Sequence, residues 1–204
     1  MPKTNRSGQA LTLSSEQLDS IMAKLSPKAR AVFSLCRFTA ARITEALSLK
    51  WENVTSTDIV IPKAITKKKM RTRTIPMNPK LWDEIVHWKT EWPRVFKREP
   101  EKHDFLYPGA KTFDEHMTRR NVDYALRDAC KKIGIEGVST HSFRRSALTA
   151  ASDKGVPLRV LQSISGHSSL EMLQKYLDVK DESKRQATGS DRQRRLFGGS
   201  ACRL

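Results

Sequence analysis

The sequence contains few cysteines, no long apolar run and no acidic excess, and each shortage excludes a class of protein. Its three cysteines are too few for a disulfide scaffold and lack the C-x-x-C spacing of a zinc site, so we expect a reducing compartment. No apolar run approaches the ~18 residues that a membrane-spanning helix needs. Residues 1–10 are polar and lack the apolar segment of a secretory signal.

The charge that is present is strongly positive. Of 204 residues, 38 are Lys or Arg and 22 are Asp or Glu, which gives a formal net charge of +16. Such an excess favours a polyanionic partner, most simply nucleic acid, through phosphate contacts and counterion release. A solubilising surface or a ribosome-associated protein has the same composition. Charge therefore predicts a class of partner and no activity.

Hydrophobic periodicity predicts one domain that is mainly α with a small antiparallel β-sheet, an α+β fold. Helical patterns cover about 14–26, 28–38, 42–50, 81–92, 117–133, 141–154, 157–165 and 168–177. Period-two patterns predict strands at 58–61, 63–66 and 71–75, the last two joined by a lysine-rich turn. We interpret the stripe from Leu81 to Trp92 as core, in a helix that Pro93 ends. Residues 1–12 are expected to form a flexible basic arm, and 181–204 a basic tail.

A cluster of six basic residues, with no acidic one among them, lies in the predicted hairpin: Lys63, Lys67, Lys68, Lys69, Arg71 and Arg73. Like charges packed this closely repel one another without a counter-anion. On a hairpin they would project a positive tip suited to a phosphate backbone. A solvated hairpin end is the alternative, and we favour anion binding.

Two polar segments near the end of the predicted domain combine histidine with arginine or tyrosine. His141 and Arg144 are three residues apart and share a helix face, where Arg offers a donor fork to phosphate and His offers acid–base capacity. His167 follows His141 by 26 residues, and Tyr176 follows nine later. Taken singly, a turn histidine and an aromatic residue beside a helix stripe are the simpler interpretations.

Together with the stretch that begins at Arg42, these segments resemble the catalytic domain of the tyrosine recombinases, the phage integrase family. That family's pattern has R-I-S-E-x-x-x-L-x-W-x-D, a hairpin lysine before R-x-V/I-P, then H-x-L-R-H, L-G-H-S-S and a tyrosine. The matching stretches here are RITEALSLKWENV, ITKKKMRTRTIPM, HSFRR and SGHSSLEMLQKY. The resemblance covers about 13–180 and implies the fold of that catalytic domain.

The resemblance implies a metal-independent DNA strand transferase that uses no cofactor. Tyr176 would attack the scissile phosphodiester, giving a 3′-phosphotyrosine and a free 5′-hydroxyl. Arg42 and Arg144 would bind the non-bridging oxygens, while His141 and His167 would hydrogen-bond the phosphate and assist loss of the tyrosine proton. A tyrosine pKa of ~10 leaves little phenolate at neutral pH, so a cationic pocket must favour the ion.

A hairpin lysine would protonate the leaving 5′-oxygen. In the family it commonly stands eight residues before the proline of R-x-V-P, which points to Lys68, with Lys67 as the reserve and Lys69 a distant third. We expect the other basic residues of these segments to contact DNA: Lys63, Lys67, Lys69, Arg71, Arg73 and Arg145.

Four positions depart from the family pattern. Arg145 replaces the second His of H-x-L-R-H, and Phe143 replaces its Leu. Ala41 stands where Leu commonly precedes the first Arg, and Ser165 stands where Leu precedes G-H. None removes a catalytic residue type, so we expect activity. Arg145 would add positive charge beside the scissile phosphate or turn to solvent.

The resemblance also implies partners and an outcome. We expect double-stranded DNA, a homo-tetramer on paired sites, no membrane, and integration, excision or inversion of DNA. The N-terminal core-binding domain of many relatives is expected to be absent, either naturally or by trimming. A cytoplasmic, nucleoid-associated protein of a bacterium, phage or plasmid fits. A catalytically silent DNA-binding module and a type IB topoisomerase-like nicking–closing enzyme are the alternatives.

Overall fold

The computed structural model describes residues 10–66, 71–110, 113–175 and 177. Over these residues the chain forms α-helices and one two-stranded antiparallel sheet, so the predicted α+β class is confirmed. The helices are α1 Ser15–Met22, α2 Pro27–Thr39, α3 Ile43–Leu47, α4 Pro79–Phe96, α5 Arg119–Lys132, α6 Thr140–Asp153, α7 Leu158–Ser165 and α8 Leu170–Gln174. The strands are β1 Asp58–Ile61 and β2 Arg73–Pro76, and short 3-10 turns cover Trp51–Asn53 and Lys63–Ile65.

Helix α2 is the central element of the core, packed against both α4 and α6. Its small and apolar side chains allow the neighbouring helices to approach closely. Four of them have no exposed surface: Ala31, Val32, Phe33 and Leu35. The ring of Phe33 lies 4.6 Å from that of Phe143 on α6. Because α6 carries Arg144, this packing fixes that part of the predicted site against the core.

The aromatic stripe of α4 is core, as predicted, but Pro93 does not end the helix. The helix continues to Phe96, whose ring lies 4.7 Å from that of Trp92. Proline removes one backbone donor from a helix interior. The aromatic packing beyond Pro93 compensates for that lost bond, and the helix ends where Lys97 adopts a left-handed φ of 58°.

The predicted strand pairing is wrong in one respect. Strand β2 pairs with β1, with Ile61 opposite Arg73 and Asp58 opposite Pro76, while Lys63–Ile65 forms a 3-10 turn. Pro62 has no N–H to donate, so the ladder cannot extend through it into the next residues. The pleat turns Arg73 toward the same buried side as Ile75.

No helix in the described part of the chain is long and apolar enough to cross a membrane. Residues 1–9 of the predicted arm and the whole predicted tail at 181–204 lie outside the described residues.

Candidate active site

Arg42 is positioned by a sharp reversal between α2 and α3. Ala40 ends α2 in the left-handed region with φ 51°, which costs a residue with a side chain roughly 1–2 kcal/mol. Thr39 stabilises the bend, because its Oγ1 donates to the carbonyl of Leu35 and accepts the N–H of Ala41. After this bend Arg42 is the N-cap residue of α3, and the Ala40 carbonyl accepts a hydrogen bond from Arg144 of α6.

A single carboxylate, that of Glu45, binds two arginines of the site. Its Oε1 lies 3.0 Å from Nη1 of Arg42, and its Oε2 lies 2.7 Å from Nη2 of Arg73. Burial of Glu45 disfavours its ionised form, but the charge of Arg73 and the backbone N–H of Arg42 outweigh burial and lower its pKa. The ionised carboxylate therefore ties α3 to β2.

Arg144 is almost completely buried, with 1% of its surface exposed, and backbone carbonyls orient its guanidinium. Nη1 donates to the carbonyl of Ala40, and Nη2 donates to the carbonyl of Ser165 at 3.0 Å. Nη2 also lies 3.1 Å from Nε2 of His167. These contacts join α6 to the α2–α3 reversal and to the end of α7.

His167 lies in the turn between α7 and α8. Gly166 ends α7 with φ 67°, a left-handed conformation that favours glycine. Ser165 Oγ is 2.7 Å from Nδ1 of His167, and the side-chain amide of Gln162 donates to the His167 carbonyl. Burial, and after it the positive charges of nearby arginines with Arg144 foremost, together lower the pKa of His167 to about 3. The imidazole is therefore neutral at physiological pH.

These elements enclose an open cleft of about 320 Å³, which we call the arginine cleft. Its lining residues are Arg42, Glu45, Thr66, Arg71, Arg73, Arg159, Gln162, Gly166, His167 and Ser168. Four of the ten are arginines and only one is acidic, so the cleft suits an anion about the size of a phosphodiester.

His141 occupies the first turn of α6, three residues before Arg144. It lines a second cleft of about 490 Å³ between α5 and the start of α6, together with Arg119, Asp123 and Arg127. The structure thus brings Arg42, Arg144 and His167 together and places His141 on the same helix as Arg144.

Two of the residues predicted to contact DNA are buried. Arg73 is 5% exposed and bound to Glu45, so it does not project from a hairpin tip. Arg145 is 6% exposed and does not turn to solvent: its Nε donates to Oγ1 of Thr12, next to Leu13. By contrast, Lys63 and Arg71 are exposed.

Four predicted residues lie outside the described part of the chain: Lys67, Lys68, Lys69 and Tyr176. Their described neighbours in the sequence are Thr66 and Arg71 for the three lysines, and Lys175 and Leu177 for the tyrosine. Thr66 and Arg71, the described residues that flank the lysines in the sequence, both line the arginine cleft.

Sequence reasoning missed the partners of the arginines and one further cation. Glu45 is part of the R-I-T-E stretch, but nothing in the sequence indicates that it pairs with Arg42 and Arg73. Arg159 and Gln162 could have been found from helix spacing, since they lie seven and four residues before Gly166 on one face of α7. No group of three His, Cys, Asp or Glu side chains that could hold a metal occurs among the described residues.

Comparison with known proteins gives one consistent result. The phage integrase family model matches residues 12–183. The tyrosine recombinase XerD of Lacticaseibacillus casei is 28% identical over 180 residues, covering 84% of this chain and 59% of the relative. XerA of Thermococcus kodakarensis is 28% identical over 189 residues, covering 91% and 64%. The chain thus spans about three fifths of the length of these two relatives.

Solved structures share the fold. The crystal structure of XerA recombinase has a TM-score of 0.74 at 20% identity, covering 91% of this chain and 66% of that one. XerH recombinase bound to a palindromic difH substrate in a post-cleavage complex has a TM-score of 0.69 at 23% identity, covering 91% and 54%. The catalytic domain of bacteriophage HP1 integrase has a TM-score of 0.60 at 21% identity, covering 82% and 87%.

Proposed function

Because the chain belongs to the phage integrase family, we propose that it is a site-specific DNA recombinase that cleaves and rejoins strands through a 3′-phosphotyrosine intermediate. The observation that carries the proposal is the arginine cleft. Arg42 and His167 both line it, His167 contacts Arg144, and three further arginines add positive charge to the lining. Charge that develops on phosphorus is stabilised there by preorganised guanidinium groups, so no metal is needed.

In this mechanism Arg42 and Arg144 bind the non-bridging oxygens of the scissile phosphate. Arg42 supports the role because its side chain is 26% exposed and one edge remains directed to the cleft while Nη1 is held by Glu45. For Arg144, which is 1% exposed, the support is its contact with His167, a residue that lines the cleft; backbone acceptors fix its guanidinium without adding a negative charge. His141 and His167 hydrogen-bond the phosphate and assist loss of the tyrosine proton.

The bond changes are balanced within the chain's own residues. Oη of Tyr176 attacks phosphorus and passes its proton to His141 or His167 as the P–O5′ bond breaks, and Lys68 protonates the leaving 5′-oxygen. Lys67 is the alternative donor. Attack of a second strand's 5′-hydroxyl on the phosphotyrosine reverses these steps and reseals DNA, because the covalent link retains the phosphodiester energy.

The proposal includes the partners and setting of the reaction. The substrate is double-stranded DNA, bound by Lys63, Lys67, Lys69 and Arg71 together with the cleft, and four copies act on two paired sites. The outcome is integration, excision or inversion, in the cytoplasm at the nucleoid of a bacterium, or from a phage or plasmid. The net charge of +16 and the recombinase relatives support this setting.

A nicked suicide substrate tests the chemistry, because the short 5′ fragment diffuses away and traps the covalent adduct. With a pool of nicked duplexes of randomised sequence, we expect a detergent-resistant adduct that forms equally well in EDTA. Tyr176→Phe should abolish the adduct while DNA binding persists, and Tyr124→Phe, at an exposed tyrosine of α5, should not.

The other outcomes separate the alternatives. Binding without any adduct would mean a catalytically silent DNA-binding module. An adduct that persists in Tyr176→Phe would overturn the nucleophile, and a strict metal requirement would overturn the mechanism. Relaxation of supercoiled DNA with no strand exchange between two sites would favour the topoisomerase-like activity.

A further inference from the structure

Arg159 is a cation of the arginine cleft to which the proposed reaction gives no individual role. It lies in the first turn of α7, is exposed, and lines the cleft together with Arg42 and His167. Arg42 is held by Glu45, whereas Arg159 makes no hydrogen bond or ion pair within the part of the chain that the structure describes. Its guanidinium group therefore keeps its N–H donors for a ligand.

The positive charge of the arginine cleft exceeds what one phosphate balances. Its described lining has four arginines and one carboxylate, and the His167 imidazole is neutral, so the lining carries three net positive charges. One phosphodiester group supplies a single negative charge, which leaves two positive charges unbalanced. Charges of one sign gathered in a cleft favour further ions of the opposite sign. On a DNA strand, the nearest further anions are the phosphates beside the scissile one.

Helix α7 sets the distance between Arg159 and the scissile phosphate. Arg159 precedes Gly166 by seven residues, which at about 1.5 Å per residue is about 10 Å along the helix. The C-terminal end of α7 is fixed, because Nη2 of Arg144 donates to the carbonyl of Ser165 at 3.0 Å. A DNA strand advances by about 3.4 Å per nucleotide, so an offset of about 10 Å corresponds to about three nucleotides.

We propose that Arg159 binds a non-scissile phosphate of the cleaved strand, within about three nucleotides of the scissile one, and thereby fixes which phosphodiester lies beside Arg42 and His167. The inference rests on the DNA substrate of the proposed function and adds a second contact to the same strand. Phosphate contacts carry no base sequence, but they determine the register of the protein on DNA. With Arg42 on one phosphate and Arg159 on another, the strand slides only when both contacts break.

Equilibrium binding tests this contact without relying on cleavage. The parent protein is Tyr176→Phe, and the DNA is a duplex selected from the randomised pool by binding to it. Added to this parent, Arg159→Ala should raise the Kd about tenfold, the loss typical of one hydrogen bond to a charged group, and Arg159→Lys should recover part of the affinity. Arg94→Ala is the matched control, because it removes an exposed arginine that does not line the cleft. It should bind like the parent.

A scan with single methylphosphonates then locates the phosphate, because each one removes the charge of one phosphate and keeps the base sequence. Among the positions where the substitution weakens binding by the parent, one should have no effect in Arg159→Ala and a different one, within about three nucleotides, no effect in Arg42→Ala. Loss of sensitivity at the same phosphate in both variants, or an Arg159→Ala protein with the Kd of the parent, would overturn the inference. Separate phosphates for the two arginines in a protein whose wild type forms no adduct would overturn the proposed cleavage and leave this contact standing.

Discussion

At the scale of single residues, the site depends on a buried carboxylate shared by two guanidinium groups. Glu45 is 1% exposed and bonds Arg42 and Arg73 through different oxygens. Two arginines on separate elements would repel one another in the cleft without it. The Glu45 carboxylate therefore stabilises Arg42 and Arg73 close to each other in the cleft, where their guanidinium groups can bind a phosphate.

Glu45→Gln should be strongly destabilising, because it leaves Arg73 buried without its counter-charge. We expect the free energy of unfolding in urea at pH 7 to fall by about 3 kcal/mol. Glu91→Gln is the matched control: Glu91 pairs with Arg94, which is 76% exposed, and such surface pairs contribute about 0.5 kcal/mol or less. Equal effects of the two substitutions would contradict the assigned role of Glu45.

The same pair gives a pH dependence with a defined sign. The pKa of Glu45 lies below its ordinary value of 4.5, so its ionised form stabilises the fold fully above that value. The contribution is lost as pH falls through the lowered pKa. The stability gap between wild type and Glu45→Gln should therefore be constant near neutrality and shrink below about pH 4. A gap that widened in acid would contradict the sign.

At the scale of elements, the α7–α8 turn and β2 fit together only because residue 166 is glycine. A Cβ on Gly166 would lie 2.1 Å from Nη1 of Arg73. The turn that contains His167 therefore packs against Arg73, the arginine that Glu45 binds. A shift of Arg73 would be expected to disturb both this turn and the contacts of Glu45.

Gly166→Ala and Gly155→Ala separate backbone strain from this contact. Both glycines have left-handed φ values, 67° and 79°, but a Cβ on Gly155 meets nothing within 4 Å. Gly155→Ala should cost about 1 kcal/mol of unfolding free energy from strain alone. Gly166→Ala should cost more and should also reduce cleavage, because Arg73 must move. Equal stability loss with intact cleavage in both variants would contradict the fit.

Most of the helices and strands were predictable from the sequence, and the exceptions have physical reasons. Helical periodicity located the helix that carries His141 and Arg144, and the helices that flank Arg42 and His167. Periodicity could not show that Pro62 ends the β1 ladder or that packing carries α4 past Pro93, since both depend on tertiary partners. Nor could it show that Arg145 turns to Thr12, because that contact joins residues 133 positions apart.

At the scale of the whole molecule, the net charge of +16 predicts a steep loss of DNA affinity with salt. Each phosphate contact should contribute about one unit to the slope of log K against log salt concentration. Arg71→Ala and Arg159→Ala should each lower the slope by about one. Arg94→Ala, which removes a surface arginine paired with Glu91, should leave it unchanged. A flat salt response would contradict a large backbone footprint.

Mass spectrometry of the trapped adduct tests the proposed attack of Tyr176 on a phosphate in the arginine cleft. After nuclease and protease digestion, we expect a 3′-linked nucleotide on the peptide that contains Tyr176, and the peptides of Tyr107 and Tyr124 should be unmodified. A nucleotide on any other residue, or one joined through its 5′-phosphate, would contradict it.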